Sequence, residues 1–239
     1  MTTPAERLAR WKAIVDRPAD AIELDAAALA VGDWDGDVDI AAARAELDRI
    51  AGLAAPRIAG AGAVAALAET LFADLGYRGN SADYYDPRNS FLAEVMTRRT
   101  GIPITLSVLY LEVARRAGVD ARGVGFPGHF LVRVVDPGAG GDVVVDPFGG
   151  GAVLGRADLV ALLERMAGKD AVLDDAAVAA MGTPQILSRM LLNLAGIYGR
   201  AGDLFRSLEV LERLAVLDPD NPRLARDLEQ LRSRVADLN

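Results

Sequence analysis

The sequence predicts a helix-rich α+β protein. Apolar residues make up 51% of the chain and are mostly alanine and leucine, whereas aromatic residues make up only 5%. This composition favours helices over a large sheet. Runs of valine follow one another in the middle of the chain and predict a small antiparallel sheet. A chain of 239 residues with this apolar content can bury a sizeable core, as one large domain or as two modest ones.

The first hundred residues carry apolar side chains at helical spacing. The predicted helices span 4–16, 22–31, 39–54, 61–76 and 87–99. Asp39 stands where a helix cap belongs, and Asp86 precedes a proline at the first helical position. Both residues therefore mark ordinary helix starts.

The middle of the chain combines a helix with a sheet. Residues 103–117 form a predicted helix that is apolar nearly all round, which indicates burial in the core. The valine- and phenylalanine-rich runs at 121–126, 129–135 and 142–146 predict strands, and the last two form a hairpin with a six-residue loop at 136–141. Helical pattern resumes at 156–167, so we predict that a first domain spans residues 1–182.

The remaining residues, 183–239, are purely helical in pattern. Their apolar and small residues fit the spacing of a tetratricopeptide hairpin. The matching positions are Leu191, Leu194, Ala195, Tyr198, Ser207, Leu211, Leu214 and Pro219. A third helix at 221–237 would cap the hairpin. Because one repeat is too short to be stable alone, we expect this second domain to dock on the first.

The charge pattern limits the partners. Acidic side chains outnumber basic ones by 34 to 26, and no run of Lys or Arg could neutralise several adjacent phosphates, so nucleic acid is not an expected partner. Charged residues interrupt both the first 16 residues and the alanine-rich stretch 51–75. We therefore expect neither a signal peptide nor a membrane helix, and predict a cytoplasmic protein.

The chain has no cysteine, and His129 is its only histidine. This count excludes disulfides, thiolate-bound zinc, iron–sulfur clusters and every thiol nucleophile. It also excludes a zinc ion held by several histidines. A carboxylate-bound metal is still compatible with the composition, but we predict no metal and no cofactor.

The predicted hairpin brings His129 close to an aspartate. If Val135 pairs with Asp142, then Asp146 lies within two residues of the position that faces His129. A histidine, a carboxylate that fixes its tautomer, and a thiolate at a helix start are the three parts of a Cys–His–Asp nucleophile. In this sequence the predicted helix 103–117, His129 and Asp146 follow one another in that order.

Four stretches resemble the transglutaminase-like (papain-like) core in order and spacing: 100–103 (TGIP), 116–122 (RAGVDAR), 128–132 (GHFLV) and 145–148 (VDPF). Three others, 84–90 (YYDPRNS), 99–104 (RTGIPI) and 125–130 (GFPGHF), resemble the bacterial SirB-type branch, which also carries C-terminal tetratricopeptide helices. The resemblance is strongest from 84 to 151. It implies that His129 and Asp146 hold two of the three triad positions.

The third triad position departs from the family pattern. Alignment of Gly118 and His129 with that pattern puts Pro103 at the position of the nucleophile. Ser107 is the nearest hydroxyl on the same helical face, but it lies about 6 Å further along the axis, towards the core. We expect its hydroxyl to bond a backbone carbonyl. Pro103 also has an ordinary role as a helix-start proline.

Three functional hypotheses follow. The preferred one is a non-catalytic protein, with possible regulatory use, that binds a peptide or protein partner in a retained cleft. The alternative is a hydrolase or acyltransferase that acts on amide bonds by a non-thiol mechanism with His129 and Asp146, and with Ser107 as a weak third candidate. A third hypothesis makes the His–Asp pair purely structural. Candidate binding residues are Tyr84, Tyr85, Arg88, Asn89, Pro103 and Phe126, although the first four also fit ordinary loop and cap roles.

Overall fold

Within residues 2–34, 36–136 and 141–238, which the computed structural model describes, the chain forms ten α-helices and seven short strands. The helices are α1 (Pro4–Val15), α2 (Leu24–Val31), α3 (Ile40–Ala61), α4 (Ala63–Ala68), α5 (Leu92–Arg98), α6 (Pro103–Arg116), α7 (Arg156–Ala167), α8 (Thr183–Ala201), α9 (Leu204–Leu217) and α10 (Pro222–Ala236). The strands are β1 (Arg78–Gly79), β2 (Thr100–Gly101), β3 (Ala121–Val124), β4 (Leu131–Asp136), β5 (Gly141–Asp146), β6 (Ala152–Leu154) and β7 (Ala180–Met181). The predicted helix-rich α+β class is confirmed.

Capping side chains begin the helices where the sequence predicts them. The Asp39 carboxylate accepts a hydrogen bond of 2.9 Å from Ala42 N and starts α3. The Asp86 carboxylate accepts a hydrogen bond of 2.9 Å from Arg88 N, but it caps only a 3₁₀ turn, Pro87–Ser90. The extended backbone of Phe91 then separates this turn from α5, so the predicted single helix 87–99 is wrong.

Two other predicted helix bounds are wrong. Helix α3 continues past residue 54 to Ala61, with Pro56 inside it. The carbonyl that this ring would crowd belongs to Gly52, which is exposed and has open space around it, so the helix accommodates the proline on its solvent side. The predicted helix 61–76 instead starts at Ala63, after Gly62 at φ +82°, and ends in a π-helical segment, Glu69–Asp74.

The main sheet has the order β6-β5-β4-β3-β7, with every pairing antiparallel. Val135 pairs with Asp142 as predicted. The predicted six-residue loop 136–141 is wrong at both ends, because Asp136 and Gly141 form a strand pair. Its other residues, 137–140, lie outside the described residues. Strands β6 and β7, and the parallel pair β1–β2, were not predicted, because two or three residues are too few for a visible alternation. His129 was expected to start a strand, but β4 begins two residues later.

Alternation along β4 divides the core into two layers. Val132 and Val134 face α6 in the main hydrophobic cluster, whereas Leu131 faces α7 in a second cluster with Val124 and Phe126. Residues 103–114 of α6 are all buried, as its pattern predicts. The sheet is therefore covered on both faces. The hairpin β4–β5 packs on a helix whose residues 103–114 are buried on every side.

The C-terminal helices share this core with the N-terminal ones. Trp11 of α1 donates from its indole nitrogen to Arg213 O of α9 at 3.1 Å. The buried Arg213 guanidinium donates to Ala30 O and Val31 O, the last carbonyls of α2, at 3.2 and 2.8 Å, and lies 4.2 Å from the ring centre of Trp34. Burial lowers its pKa to about 10. Carbonyls at a helix end and an aromatic face compensate this cation in place of a carboxylate. None of the helices in the described part of the chain is long and apolar enough to cross a membrane.

A buried ionic cluster joins α2, α3 and α6. Asp25, only 2% exposed, binds Arg44 at 2.7 Å and Arg116 at 2.5 Å. Arg116 also binds Glu112 at 2.5 Å and the exposed Asp48 at 2.7 Å. Burial acts to raise the pKa of Asp25, but hydrogen bonds from Arg44 and Arg116 outweigh it and hold this pKa below its ordinary value of 3.8.

We predict that Asp25→Asn lowers the free energy of unfolding at pH 7 by about 3 kcal/mol, because Arg44 and Arg116 each lose one buried counter-charge. The folded pKa of Asp25 is the lower one, so this stabilisation is complete above the unfolded pKa and is lost as the pH falls through the folded pKa. Urea unfolding should show a constant difference down to about pH 5 and a shrinking one below about pH 3.8. The matched variant Asp48→Asn removes a 69% exposed carboxylate and should cost under about 1 kcal/mol; equal losses would contradict the prediction.

Candidate functional site

His129 and Asp146 meet at one end of the β4–β5 hairpin. Val132 pairs with Val145, which places Asp146 one residue beyond the pair on one strand and His129 three residues before it on the other. His129 Nε2 lies 2.9 Å from Asp146 Oδ1. The same oxygen accepts a hydrogen bond of 3.1 Å from Phe148 N. Both side chains are largely covered, at 6% and 16% exposed. The carboxylate is therefore held from two sides and orients the imidazole.

The loop that carries His129 is tied to α8. His129 N donates to Phe126 O at 3.0 Å, and Gly128 takes φ +65°, which glycine adopts without strain. Arg189 donates from one nitrogen to Phe126 O at 3.3 Å and to His129 O at 3.0 Å. Burial lowers the pKa of Arg189. Sequence reasoning missed Arg189, because a lone arginine 60 residues along the chain carries no local signal.

Aromatic side chains continue from His129 towards solvent. The Phe148 ring stands edge-on to His129 at 5.9 Å and to Tyr84 at 6.2 Å between ring centres, and Tyr84 meets Tyr85 at 5.3 Å. Tyr84 is 37% exposed and Tyr85 59%. We call His129, Phe148, Tyr84 and Tyr85 the aromatic strip. Its outer end is covered by the Arg200 guanidinium of α8, 4.1 Å from the centre of the Tyr85 ring.

Asn89 supports the turn that carries the two tyrosines. It is completely buried, and its side-chain nitrogen donates to Asp83 O at 2.7 Å and to Tyr84 O at 3.4 Å. Its side-chain oxygen accepts a hydrogen bond of 3.1 Å from the side-chain nitrogen of Asn80. Every polar atom of the Asn89 amide is thus bonded within the turn, so this side chain positions the strip from beneath.

The other candidate residues lie in different environments. Arg88 is exposed and forms an ion pair of 2.8 Å with Asp86. Phe126 is completely buried in the cluster under α7, and Pro103 is buried at the first residue of α6. Ser107 is also completely buried, and its hydroxyl donates to Phe130 O at 3.4 Å, which confirms the expected bond to a backbone carbonyl.

Four cavities in the described part of the chain lie away from the His–Asp pair. Four cavities of 640, 550, 250 and 240 Å³ are formed by described residues, and neither His129 nor Asp146 lines any of them. The largest lies between the start of α2, the end of α6 and the start of α8. In the described ranges, no group of three or more His, Asp or Glu side chains is arranged to hold a metal ion. The residues of the aromatic strip likewise line none of these four cavities.

A family model described as transglutaminase-like superfamily matches residues 41–192. The chain belongs to this superfamily. The match contains the whole hairpin, the His–Asp pair and the first half of α8.

Relatives occur in bacteria and in animals. A UPF0162 protein of Xylella fastidiosa is 43% identical over 168 residues, 69% of this chain and 59% of the relative. A UPF0162 protein of Pseudomonas aeruginosa is 35% identical over 133 residues, 56% of this chain and 47% of the relative. F-box only protein 21 of Mus musculus is 36% identical over 138 residues, 55% of this chain and 21% of that protein. The chain thus spans less than two thirds of these relatives, and no solved structure matches it.

The sole histidine makes the tautomer of the pair directly measurable. Because Nε2 faces the Asp146 carboxylate, we predict that the neutral ring carries its proton on Nε2. Long-range ¹H–¹⁵N correlation spectra should show one imidazole in this form. Asp146→Ala should speed exchange of that proton with water, because its acceptor is gone. A wild-type ring protonated on Nδ1 would contradict the geometry.

Proposed function

We propose that this chain is a non-catalytic member of its superfamily that binds a peptide or protein partner on the aromatic strip. One observation carries the proposal: the position that the family pattern assigns to a thiol nucleophile is Pro103, in a chain without cysteine. Two hydroxyls follow Pro103 in the first turns of the same helix: that of Ser107 is buried and bonded to Phe130 O, and that of Thr105 is buried without a hydrogen-bond partner among the described residues. Neither hydroxyl is hydrogen-bonded to His129, whose ring is bonded to Asp146, which supports the absence of an activated nucleophile.

The geometry of the strip supports binding. Tyrosine rings offer a large apolar area with a polar tip and few rotatable bonds, so little entropy is lost when a partner covers them. Asn89 bonds the backbone carbonyl of Tyr84, and Arg200 covers the Tyr85 ring, so both tyrosines are already partly ordered before a partner binds. The homologous region also forms one fifth of F-box only protein 21, which supports its use as a module within a longer chain.

The finer assignments are part of the same proposal. We infer a SirB-type protein with residues 1–182 as the transglutaminase-like core and 183–239 as a tetratricopeptide-like unit, in which α8 and α9 form the hairpin and α10 the cap. The contact between α8 and α9 and the buried Ser207 support this assignment. The outer face of these helices would then supply a second protein-binding surface, and the protein would act in the cytoplasm as a regulatory partner.

The enzymatic alternative assigns His129, oriented by Asp146, to a general base acting on water to cleave or transfer an amide. The orientation of the ring satisfies one requirement of that mechanism. No hydroxyl among the described residues is hydrogen-bonded to His129, so the mechanism would depend on a water molecule alone. We therefore favour binding over catalysis.

Affinity capture tests the strip. We predict that Tyr85→Ala and His129→Ala each reduce capture of specific partners by at least about tenfold, the loss of one central contact. Proteins are captured from a lysate of the source organism, and the amount captured by each variant is compared with that captured by the wild type by mass spectrometry. Val172→Ala is the matched control, because it removes an apolar side chain that is 80% exposed elsewhere on the surface. Unchanged capture by both strip variants, with thermal melting that shows them folded, would refute the proposal.

A second test asks whether Pro103 holds the vacant nucleophile position. Pro103→Cys introduces the sole thiol of the chain. If residue 103 lies beside the imidazole, as the family pattern implies, this thiol should have a lowered pKa and react with iodoacetamide at pH 7 faster than the thiol of Ser107→Cys. His129→Gln in the same background should slow the reaction by at least about fivefold. Ser107→Cys, one turn further into the core, is the control and should stay unreactive. If His129→Gln leaves the reaction rate of Pro103→Cys unchanged, Pro103 does not hold the nucleophile position.

A further inference from the structure

A groove runs between helix α5 and the loop that precedes α3. Two adjoining cavities of 550 and 250 Å³ form it. Asp37, Val38, Ala93 and Glu94 line both cavities, which makes the groove continuous. It shares no residue with the aromatic strip.

The floor of this α5 groove is apolar. Half-buried Val38, Ala43 and Met96 line the larger cavity. Trp34 and Phe91 line the smaller one, edge to face with 6.4 Å between ring centres. These side chains pack against the main core from below, so the floor is preformed. A preformed apolar floor is the usual base of a site for an amphipathic segment.

The rim of the groove is acidic. Asp37, Asp39, Glu46 and Glu94 line the larger cavity, and no Lys or Arg is among its described lining residues. Glu46 already binds Arg49 at 2.7 Å, and Asp39 caps α3. In the described ranges, neither Asp37 nor Glu94 has an ion-pair partner within 4 Å. Arg88 lines the smaller cavity and attracts Glu94 at longer range, but its ion pair of 2.8 Å is with Asp86. The carboxylates of Asp37 and Glu94 therefore flank an apolar floor without a direct ion-pair partner.

We propose that the α5 groove docks an amphipathic protein segment that carries lysine or arginine beside apolar side chains. Apolar side chains of the segment would cover Val38, Met96 and Phe91, and its cations would meet Asp37 and Glu94. A wholly apolar segment would bury these carboxylates without counter-charge, which is costly, and an acidic segment would be repelled. A lone metal ion does not fit, because the described residues form no cluster of three or more ligating side chains. The inference is independent of the proposed function.

The test uses a defined probe. A fluorescein-labelled peptide of about 14 residues, with leucine and lysine at helical spacing, forms about four turns of amphipathic helix. Fluorescence anisotropy with the full chain should show saturable binding that weakens as salt is added. The same peptide with glutamate for lysine should not bind. Asp37→Lys/Glu94→Lys should weaken binding of the lysine peptide by at least about tenfold, and Met96→Ala by at least about threefold.

Controls separate a groove from general attraction to an acidic protein of net charge −8. Asp227→Lys/Glu229→Lys makes the same charge change on the exposed face of α10 and should weaken binding less than about twofold. Asp37→Asn/Glu94→Gln removes both rim charges with little change of shape and should also weaken binding. This variant keeps the test valid where the charge-reversed variant does not fold. The proposal is overturned if the lysine peptide does not bind, or if the α10 and groove variants weaken it equally.

Discussion

The burial of α6 is the constraint on which the rest of the structure depends. Residues 103–114 are buried on every face, and the helix contacts α2, α3, α5 and the sheet. Each fully buried Leu, Ile or Val contributes about 1.5–3 kcal/mol, so this helix supplies a large share of the apolar stabilisation. Of its polar side chains, Ser107 donates to Phe130 O just before β4, and Glu112 binds Arg115 and Arg116. The buried hydroxyls of Thr105 and Tyr110 have no hydrogen-bond partner among the described residues, a cost that the apolar burial of the helix outweighs. The hairpin with His129 and Asp146 is laid on this helix and takes its position from it.

The His–Asp pair was predictable because it depends on short-range rules. A strand has a period of two residues, and the Val135–Asp142 pairing follows from the two valine runs on either side of one loop, so the approach of His129 to Asp146 needs only counting. The length of α6 and its burial follow from composition in the same way. The helix bounds around Pro56, Gly62 and Phe91 were less accessible, because they depend on solvent exposure and local backbone conformation that apolar spacing does not encode.

Contacts between distant segments were not predictable at all. Arg189 reaches the His129 loop, and Arg200 covers Tyr85, from a helix whose pattern shows only that one face is apolar. Asn89 was proposed as a ligand contact, whereas its amide is bonded within the turn on which Tyr84 stands. Arg213 is similar: its cation is buried against Trp34 and the end of α2, which unites the two ends of the chain in one core. An arginine in an amphipathic helix would otherwise be placed in solvent.

The two hydrogen bonds from Arg189 bear on how this protein can be divided. The family match ends at Leu192, three residues beyond Arg189 and in the middle of α8. The recurring unit therefore retains the arginine that anchors the His129 loop but cuts through the helix that presents it. A fragment ended before α8 would leave two loop carbonyls without their donor, and one ended at Leu192 would lose Arg200, which covers the Tyr85 ring. A cut at the α8–α9 turn, at Gly202, would keep both arginines but would remove Arg213 of α9, which is buried against the end of α2 and Trp34. The core that α9 shares with α1 and α2 therefore ties the C-terminal helices to the unit that carries the His129 loop.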